Sequence, residues 1–368
     1  MDPKIFLSAC LGKVLEMKGQ DLFLKVGSVP RTRVGGTVLP IPLEVVKEED
    51  TQAIVKNLLN PIQEEWLQKN RSVDFAFSLF GTTQRFRGNI FFQQGVYSLV
   101  IRTLWKSIPS FEELGLPPIL KKIPLERSGI ILIAGTVASG KTTTITAMID
   151  MMNNTVERHI ITIEDPVEYL HYDKKCIINQ REIGQDATDF NSALRYVVRQ
   201  SPDVVVIGEM RDAETFNFAL SSAEVGRLVI ATVHARSVVQ IFDRILGFFP
   251  PSEREPILNQ LYPNITCFVV QKLLVGTDGK SYVPACEILI GNYTTRQLVH
   301  ERKFDKIPQA LKNSTQEGMQ TMDQALYQLW KEEKISVEAA LAASERPQEL
   351  ENQMKGITIG QKGKILGA

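Results

Sequence analysis

Gly135-Thr136-Val137-Ala138-Ser139-Gly140-Lys141-Thr142 fits the phosphate-loop pattern G-x-x-x-x-G-K-[ST] at every fixed position. The apolar run at residues 130–133 (Ile-Ile-Leu-Ile) reads as a buried strand feeding into it, and residues 143–152 read as the helix that leaves it. This order has a physical reason. Backbone N–H groups of a glycine-rich turn converge on phosphate oxygens, and the following helix aims its positive N-terminus at the same charge. Residues 135–142 with Thr143 are therefore the expected nucleotide cradle. Lys141 is placed to reach the β- and γ-phosphates, and the Thr142 hydroxyl to hold Mg²⁺ beside ATP.

The chain around this loop has 368 residues, more than one ordinary domain needs, so two are expected. Lys plus Arg balance Asp plus Glu at 42 each, so no global basic field recruits nucleic acid. Cys10, Cys176, Cys267 and Cys286 are scattered with no C-x-x-C pair, which argues against zinc and against a disulfide framework. No apolar run approaches the roughly 18 residues of a membrane span. Ile5-Phe6-Leu7 is followed at once by Lys13, Glu16 and Lys18, so the N-terminus reads as an amphipathic helix rather than a signal peptide. A cytoplasmic protein that meets membrane only through a partner is expected.

Along the chain, residues 3–18 read as helix, 21–26 as strand, and 33–39 as strand, tight turn and strand. Residues 48–69 read as helix broken near Pro61, and residues 74–80, 85–92 and 97–103 as further strands. The first domain is thus α+β with a sheet of about five strands, over residues 1–106. Residues 107–127, with Pro109, Pro117, Pro118 and Pro124, read as a semi-rigid linker. From residue 128 to 290 the pattern is α/β, strand, loop and helix in repetition. Residues 291–350 turn helical, with residues 319–332 amphipathic and a helix over 336–343 that Ser336 caps; residues 351–368 read as a flexible tail.

Open parallel sheets bind ligands outside the carboxyl ends of their strands. Four apolar runs of the second domain end in groups suited to nucleotide chemistry: the phosphate loop, Glu164-Asp165-Pro166-Val167-Glu168, Gly208-Glu209-Met210-Arg211-Asp212, and Val233-His234. Glu209 closes its strand as a Walker B acid does, orienting Mg²⁺ through water. Glu164 and Glu168 compete for the general base, and the residues alone do not choose between them. Asp165 before Pro166 reads equally as a turn former. His234 is placed to sense the γ-phosphate, whereas His159 and His171 read as structural. Phosphoryl transfer is catalysed largely by charge stabilisation, which draws attention to Arg85, Arg87 and Arg102 in the first domain and to Arg195, Arg199 and Arg211 in the second.

At these residues the sequence resembles the type II/IV secretion ATPase superfamily, and within it the twitching-motility, pilus-retraction ATPases (the PilT/PilU group), over nearly the whole chain. Ile163-Glu164-Asp165-Pro166-Val167-Glu168-Tyr169 is similar to the family's Asp box, and Asn179-Gln180-Arg181-Glu182-Ile183-Gly184 to its N-Q-R-E-[VI]-G stretch. Residues 201–212 resemble its Walker B block, Thr232-Val233-His234 its His box, and residues 318–326 its C-terminal G-M-Q-T-x-D-Q-A-L. Arg85-Phe86-Arg87 corresponds to an R-F-R of the N-terminal domain. The resemblance implies a PAS-like N-terminal domain, a RecA-like P-loop core, a helical C-terminal subdomain and a homohexameric ring, with nucleotide held between the two domains of a subunit. It favours Glu168 over Glu164 as base, and makes Arg85 and Arg102 nucleotide-facing. It implies that ATP hydrolysis drives an inner-membrane pilus platform protein so that pilin is withdrawn.

Three departures qualify the likeness. Thr136-Val137-Ala138 stands where the family usually has Pro-Thr-Gly, Arg227 where a second histidine is usual, and residues 294–301 keep only Arg296, Leu298 and Glu301 of A-I-R-N-L-I-R-E. These raise the alternative of an accessory paralogue, a nucleotide-binding ring partner of another pilus ATPase with little hydrolysis of its own. An assembly or type II secretion ATPase is the other alternative in the superfamily. Those usually carry a longer N-terminal region and a tetracysteine zinc module, and neither is found here.

Overall fold

The computed structural model describes residues 3–79, 82, 84–104 and 108–357. Residues 80–81, 105–107 and 358–368, where the sequence places a strand end, the close of the first domain with the start of the linker, and most of the tail, lie outside them. The chain runs through α1 (Pro3–Glu16), β1 (Asp21–Lys25), β2 (Arg31–Val34), β3 (Thr37–Pro40), α2 (Glu48–Leu58), α3 (Pro61–Asn70), β4 (Ser72–Ser78), β5 (Arg85–Gln93) and β6 (Val96–Thr103). It continues through α4 (Phe111–Leu114), β7 (Gly129–Ala134), α5 (Lys141–Thr155), β8 (His159–Glu164), β9 (Ile177–Glu182), α6 (Phe190–Val197), β10 (Val204–Ile207), α7 (Ala213–Glu224), β11 (Leu228–Val233), α8 (Val238–Gly247) and α9 (Arg254–Asn264). Last come β12 (Ile265–Val275), β13 (Tyr282–Ile290), α10 (Tyr293–His300), α11 (Ile307–Asn313), α12 (Met322–Lys331), α13 (Val337–Ala343) and α14 (Pro347–Met354).

Contacts divide the chain into two compact units. The first comprises residues 1–108, 161–172 and 178–199, and the second residues 109–160, 173–177 and 200–368. In the first unit an antiparallel sheet has the order β3-β2-β1-β6-β5-β4. It has six strands rather than about five, because residues 31–40 form a complete hairpin in which both β2 and β3 belong to the sheet. Phe6, Leu7, Cys10, Leu11 and Val14 of α1 share one buried core with Leu22 and Leu24 of β1, Ile54 of α2, Leu67 of α3, and Phe75, Phe86, Leu99 and Ile101 of the strands. The one-and-four spacing of those α1 residues is what an amphipathic helix needs to bury a stripe. The break near Pro61 is real: Asn60 caps α3, its side chain accepting from Gln63 N–H, with Pro61 at the first helical position where no N–H is missed.

The second sheet has the order β13-β12-β7-β11-β10-β8-β9. In the second unit β12, β7, β11 and β10 run parallel, and β13 returns antiparallel along β12. Every residue of β7, β10 and β11 is buried, as expected of parallel strands covered on both faces. Side-chain caps from Asp212, Ser237, Asn292, Thr321 and Ser336 start α7, α8, α10, α12 and α13, each a contribution of about 1 kcal/mol.

Candidate functional site

Parallel register builds the first part of the site, within the second unit. β7 and β11 pair so that Ala134 lies opposite Val233, and β10 and β11 so that Ile207 lies opposite Ala231. The residues just beyond these strand ends therefore become neighbours. His234 Nδ1 lies 3.2 Å from Gly135 O, and His234 Nε2 lies 3.2 Å from Glu209 Oε1. Both partners are acceptors, so the ring donates to both only when each nitrogen carries a proton. Arg211 takes the other carboxylate oxygen of Glu209, at 2.8 Å from Nε and 2.7 Å from Nη2. Thr232 Oγ1 donates to Gly208 O and Met210 N–H to Thr232 O, which fixes the backbone that carries Glu209.

The loop itself is a cradle. Gly135 and Gly140 have φ of +154° and +84°, and a β-carbon on them would lie 2.5 Å from Gln271 O and 2.8 Å from Gln271 Nε2, so only glycine fits. Val137 at the tip is 83 % exposed, as a loop that closes over a ligand rather than over core would be. Lys141 Nζ donates to Gly135 O at 3.1 Å and Thr136 O at 2.8 Å. Burial lowers the Lys141 pKa, and the nearby Glu209 charge opposes that shift. Thr142 and Thr143 lie on the first turn of the 15-residue α5, Thr142 exposed. The left-handed cradle and the helix N-terminus together fit a polyphosphate. Among the described residues no group of three or more His, Cys, Asp or Glu could hold a metal ion, so a Mg²⁺ here would rest on the Thr142 hydroxyl, on phosphate, and on Glu209 through water.

Gln271, which the sequence reading missed, underpins this loop. Buried on β12, it accepts from Thr144 Oγ1 at 2.8 Å and donates to Ser139 O at 2.9 Å. It ties the end of the loop and the first turn of α5 to the neighbouring strand.

The second part of the site lies in the first unit. Arg87 of β5 and Arg102 of β6 are cross-strand partners, and Asp21 of β1 lies opposite Arg102. Like charges placed side by side repel unless countered. Asp21 counters Arg102 at 2.8 Å, and Glu168 counters Arg87 at 3.4 Å. Arg85 is engaged differently, donating to Val167 O at 2.5 Å beside Glu182 Oε2 at 3.6 Å. Burial lowers the Arg85 pKa against the opposing pull of Glu182 and Glu164. Burial raises the Glu168 pKa, with Arg87 and then Arg102 opposing. Burial pushes Glu164 up to about 7, although Thr162 Oγ1 and Gln180 Nε2 both donate to its Oε1. Gln180 also donates to Tyr169 O and accepts from His171 N–H. Asp21, Gln180 and Glu182 were missed as functional positions; the last two lie inside the Asn179–Gly184 stretch, which was their only sequence signal.

Lys141, Glu209 and His234 are thus brought together in one unit, and Glu164, Glu168, Arg85, Arg87 and Arg102 are linked in the other. His159 Nδ1 lies 3.2 Å from Ser201 O. No helix among the described residues is long and apolar enough to cross a membrane.

Residues 55–346 match the family of the Type II/IV secretion system protein. The type IV pilus ATPase PilU of Pseudomonas aeruginosa is 37% identical over 93% of this chain and 89% of its own length. The type IV pilus retraction ATPase PilT of the same organism is 36% identical over 89% of this chain and 95% of its own length. A crystal structure of the pilus retraction motor PilT with bound ADP superposes with a TM-score of 0.86 at 36% identity, covering 94% of this chain and 99% of that one. The chain belongs to the type II/IV secretion ATPase family, and within it to the PilT/PilU kind.

Proposed function

We propose that the chain is an ATP-hydrolysing hexameric motor that powers type IV pilus retraction, working in the cytoplasm against an inner-membrane platform protein. The observation that carries this reading is the joining of Glu209, His234 and Gly135 O at the mouth of the phosphate loop. That arrangement couples the acid and the sensor to the backbone that would hold the phosphates. In this reading residues 128–290 are a RecA-like core, residues 1–106 a PAS-like domain and residues 291–350 a helical subdomain.

The chemistry divides among the residues as follows. Loop N–H groups and Lys141 hold the phosphates of ATP. Thr142, and Glu209 through water, would hold Mg²⁺, which would supply charge neutralisation there. Arg211 and His234 fix the Glu209 carboxylate. Glu168 is the base: it accepts a proton from the water that attacks the γ-phosphorus while ADP leaves. Its raised pKa suits that task, since a base works best with a pKa near the operating pH. Arg87 and Arg102 stabilise the charge that develops, and Glu164 is the alternative base.

The second reading is an accessory ring partner of another pilus ATPase. The observation favouring it lies in α10, where His300 of the altered 294–301 stretch stands in place of the motif's second arginine and packs on Tyr262. Deletion of the gene tests the first reading. Pili should still assemble and fail to retract; normal retraction, or loss of assembly, would contradict it.

A further inference from the structure

Arg85 begins β5, and its side chain is 13 % exposed, against 40 % for Arg87 and 66 % for Arg102. Its terminal nitrogen bonds to Val167 O, in the peptide that joins Val167 to Glu168. The N–H of the same Val167 donates to Glu182 Oε2 at 3.1 Å, and Glu182 is itself beside Arg85. One residue is thus gripped on both its N–H and its C=O by a buried ion pair. Arg87, two residues along the same face of β5, bonds to the Glu168 carboxylate. One strand therefore holds the backbone and the side chain of Glu168 separately.

The far side of the grip is equally fixed. Glu182 N–H donates to Asp186 Oδ2, its C=O accepts from the N–H of Asp186, and Ile183 N–H donates to Glu164 O. Glu182 is 5 % exposed, and neither its Oε1 nor Arg85 Nε has a hydrogen-bond partner among the described residues. Glu182 is held charged against its burial by the Val167 N–H and by Arg85, and Arg85 by Glu182 and then Glu164.

We propose that Arg85 and Glu182 are positioning residues that clamp the Val167 peptide to set the place of Glu168, so that Arg85 acts on hydrolysis through the base and does not touch nucleotide. This rests on the reading of Glu168 as the base. It also separates Arg85 from Arg87 and Arg102, whose exposed guanidinium groups are left to meet a ligand.

The test uses the purified full chain, with ATP turnover and ADP affinity measured side by side. Glu182→Gln keeps an acceptor for Val167 N–H and removes the charge, and Arg85→Lys keeps the charge and removes the fork. Both should lower kcat by about tenfold or more while ADP affinity stays within about twofold, and the acid limb of the kcat–pH profile should move. The double variant should lose about as much as either single variant, because the two groups act as a unit. Melting curves keep the assay below the unfolding of each variant, and Glu182→Gln alone decides the matter if Arg85→Lys does not fold. Weakening of ADP binding by about tenfold in Arg85→Lys, with kcat unchanged in Glu182→Gln, would overturn the clamp and put Arg85 on the nucleotide. Glu168→Gln, assayed in parallel, should be inactive; full turnover in that variant would overturn the base assignment and the clamp with it. An inactive Glu168→Gln with wild-type kcat in Glu182→Gln would overturn the clamp alone.

Discussion

Ala138 carries a φ of +62° in the phosphate loop, a backbone region that suits glycine and penalises a β-carbon. The chain keeps it there because both flanks of the loop are tied down, Gly135 O by His234 and Lys141 and Ser139 O by Gln271. The left-handed penalty of about 1–2 kcal/mol, less the unfolded-state entropy that glycine adds, leaves Ala138→Gly more stable by about 0.5–1 kcal/mol. Thermal melting should show a rise of about 1–3 °C, and an unchanged or lower midpoint would contradict the strain. At this scale the sequence was readable where chemistry lies in one contiguous pattern. Lys141 begins α5 at the close of its loop motif, and Glu209 and His234 follow the ends of β10 and β11 within two residues. Arg85 and Gln271 were not readable in the same way. Their partners lie 82 and 127 residues away, and only the folded register brings them together.

Among the elements, the junction of β13 with α8 holds a buried acid. Glu287 Oε2 accepts from Val238 N–H, at the first turn of α8, at 2.8 Å. Burial pushes its pKa up to about 7; Glu345 and Asp323 add to the rise, while the Val238 bond and Lys272 oppose it. A carboxyl whose folded pKa is raised gives stability that is fully present below the unfolded pKa and is lost as pH climbs through the folded value. Between about pH 4.5 and 7 that loss approaches about 1.4 kcal/mol per pH unit. Glu287→Gln should therefore flatten the fall of melting temperature across this window and be the more stable chain at pH 8. Equal slopes in the two proteins would contradict the burial account. The buried strands were legible as elements, since β7, β10 and β11 are short unbroken apolar runs bounded by polar tips. The hairpin of β2 and β3 was legible from its Gly35-Gly36 turn, although its membership in the sheet, with an exposed outer strand, was counted only as about five strands in all.

At the level of the molecule, the grouping of residues 161–172 and 178–199 with the first sheet has a consequence for function. The segment bearing Glu164 and Glu168 is braced by Arg85 of the N-terminal sheet and by β9. Linear reading assigned that segment to the P-loop domain, since nothing in a sequence reports which unit a strand's outgoing loop packs with. A motor that hydrolyses ATP needs the loop and the base to act on one substrate, whereas an accessory ring partner needs only the loop. Steady-state ATP turnover of the purified chain, with Mg²⁺ supplied and Lys141→Ala beside it, separates these most directly. The account predicts saturable hydrolysis by the wild type and a loss of at least about 100-fold in Lys141→Ala. A wild-type chain that binds ATP without turning it over, or a Lys141→Ala chain as active as wild type, would contradict it.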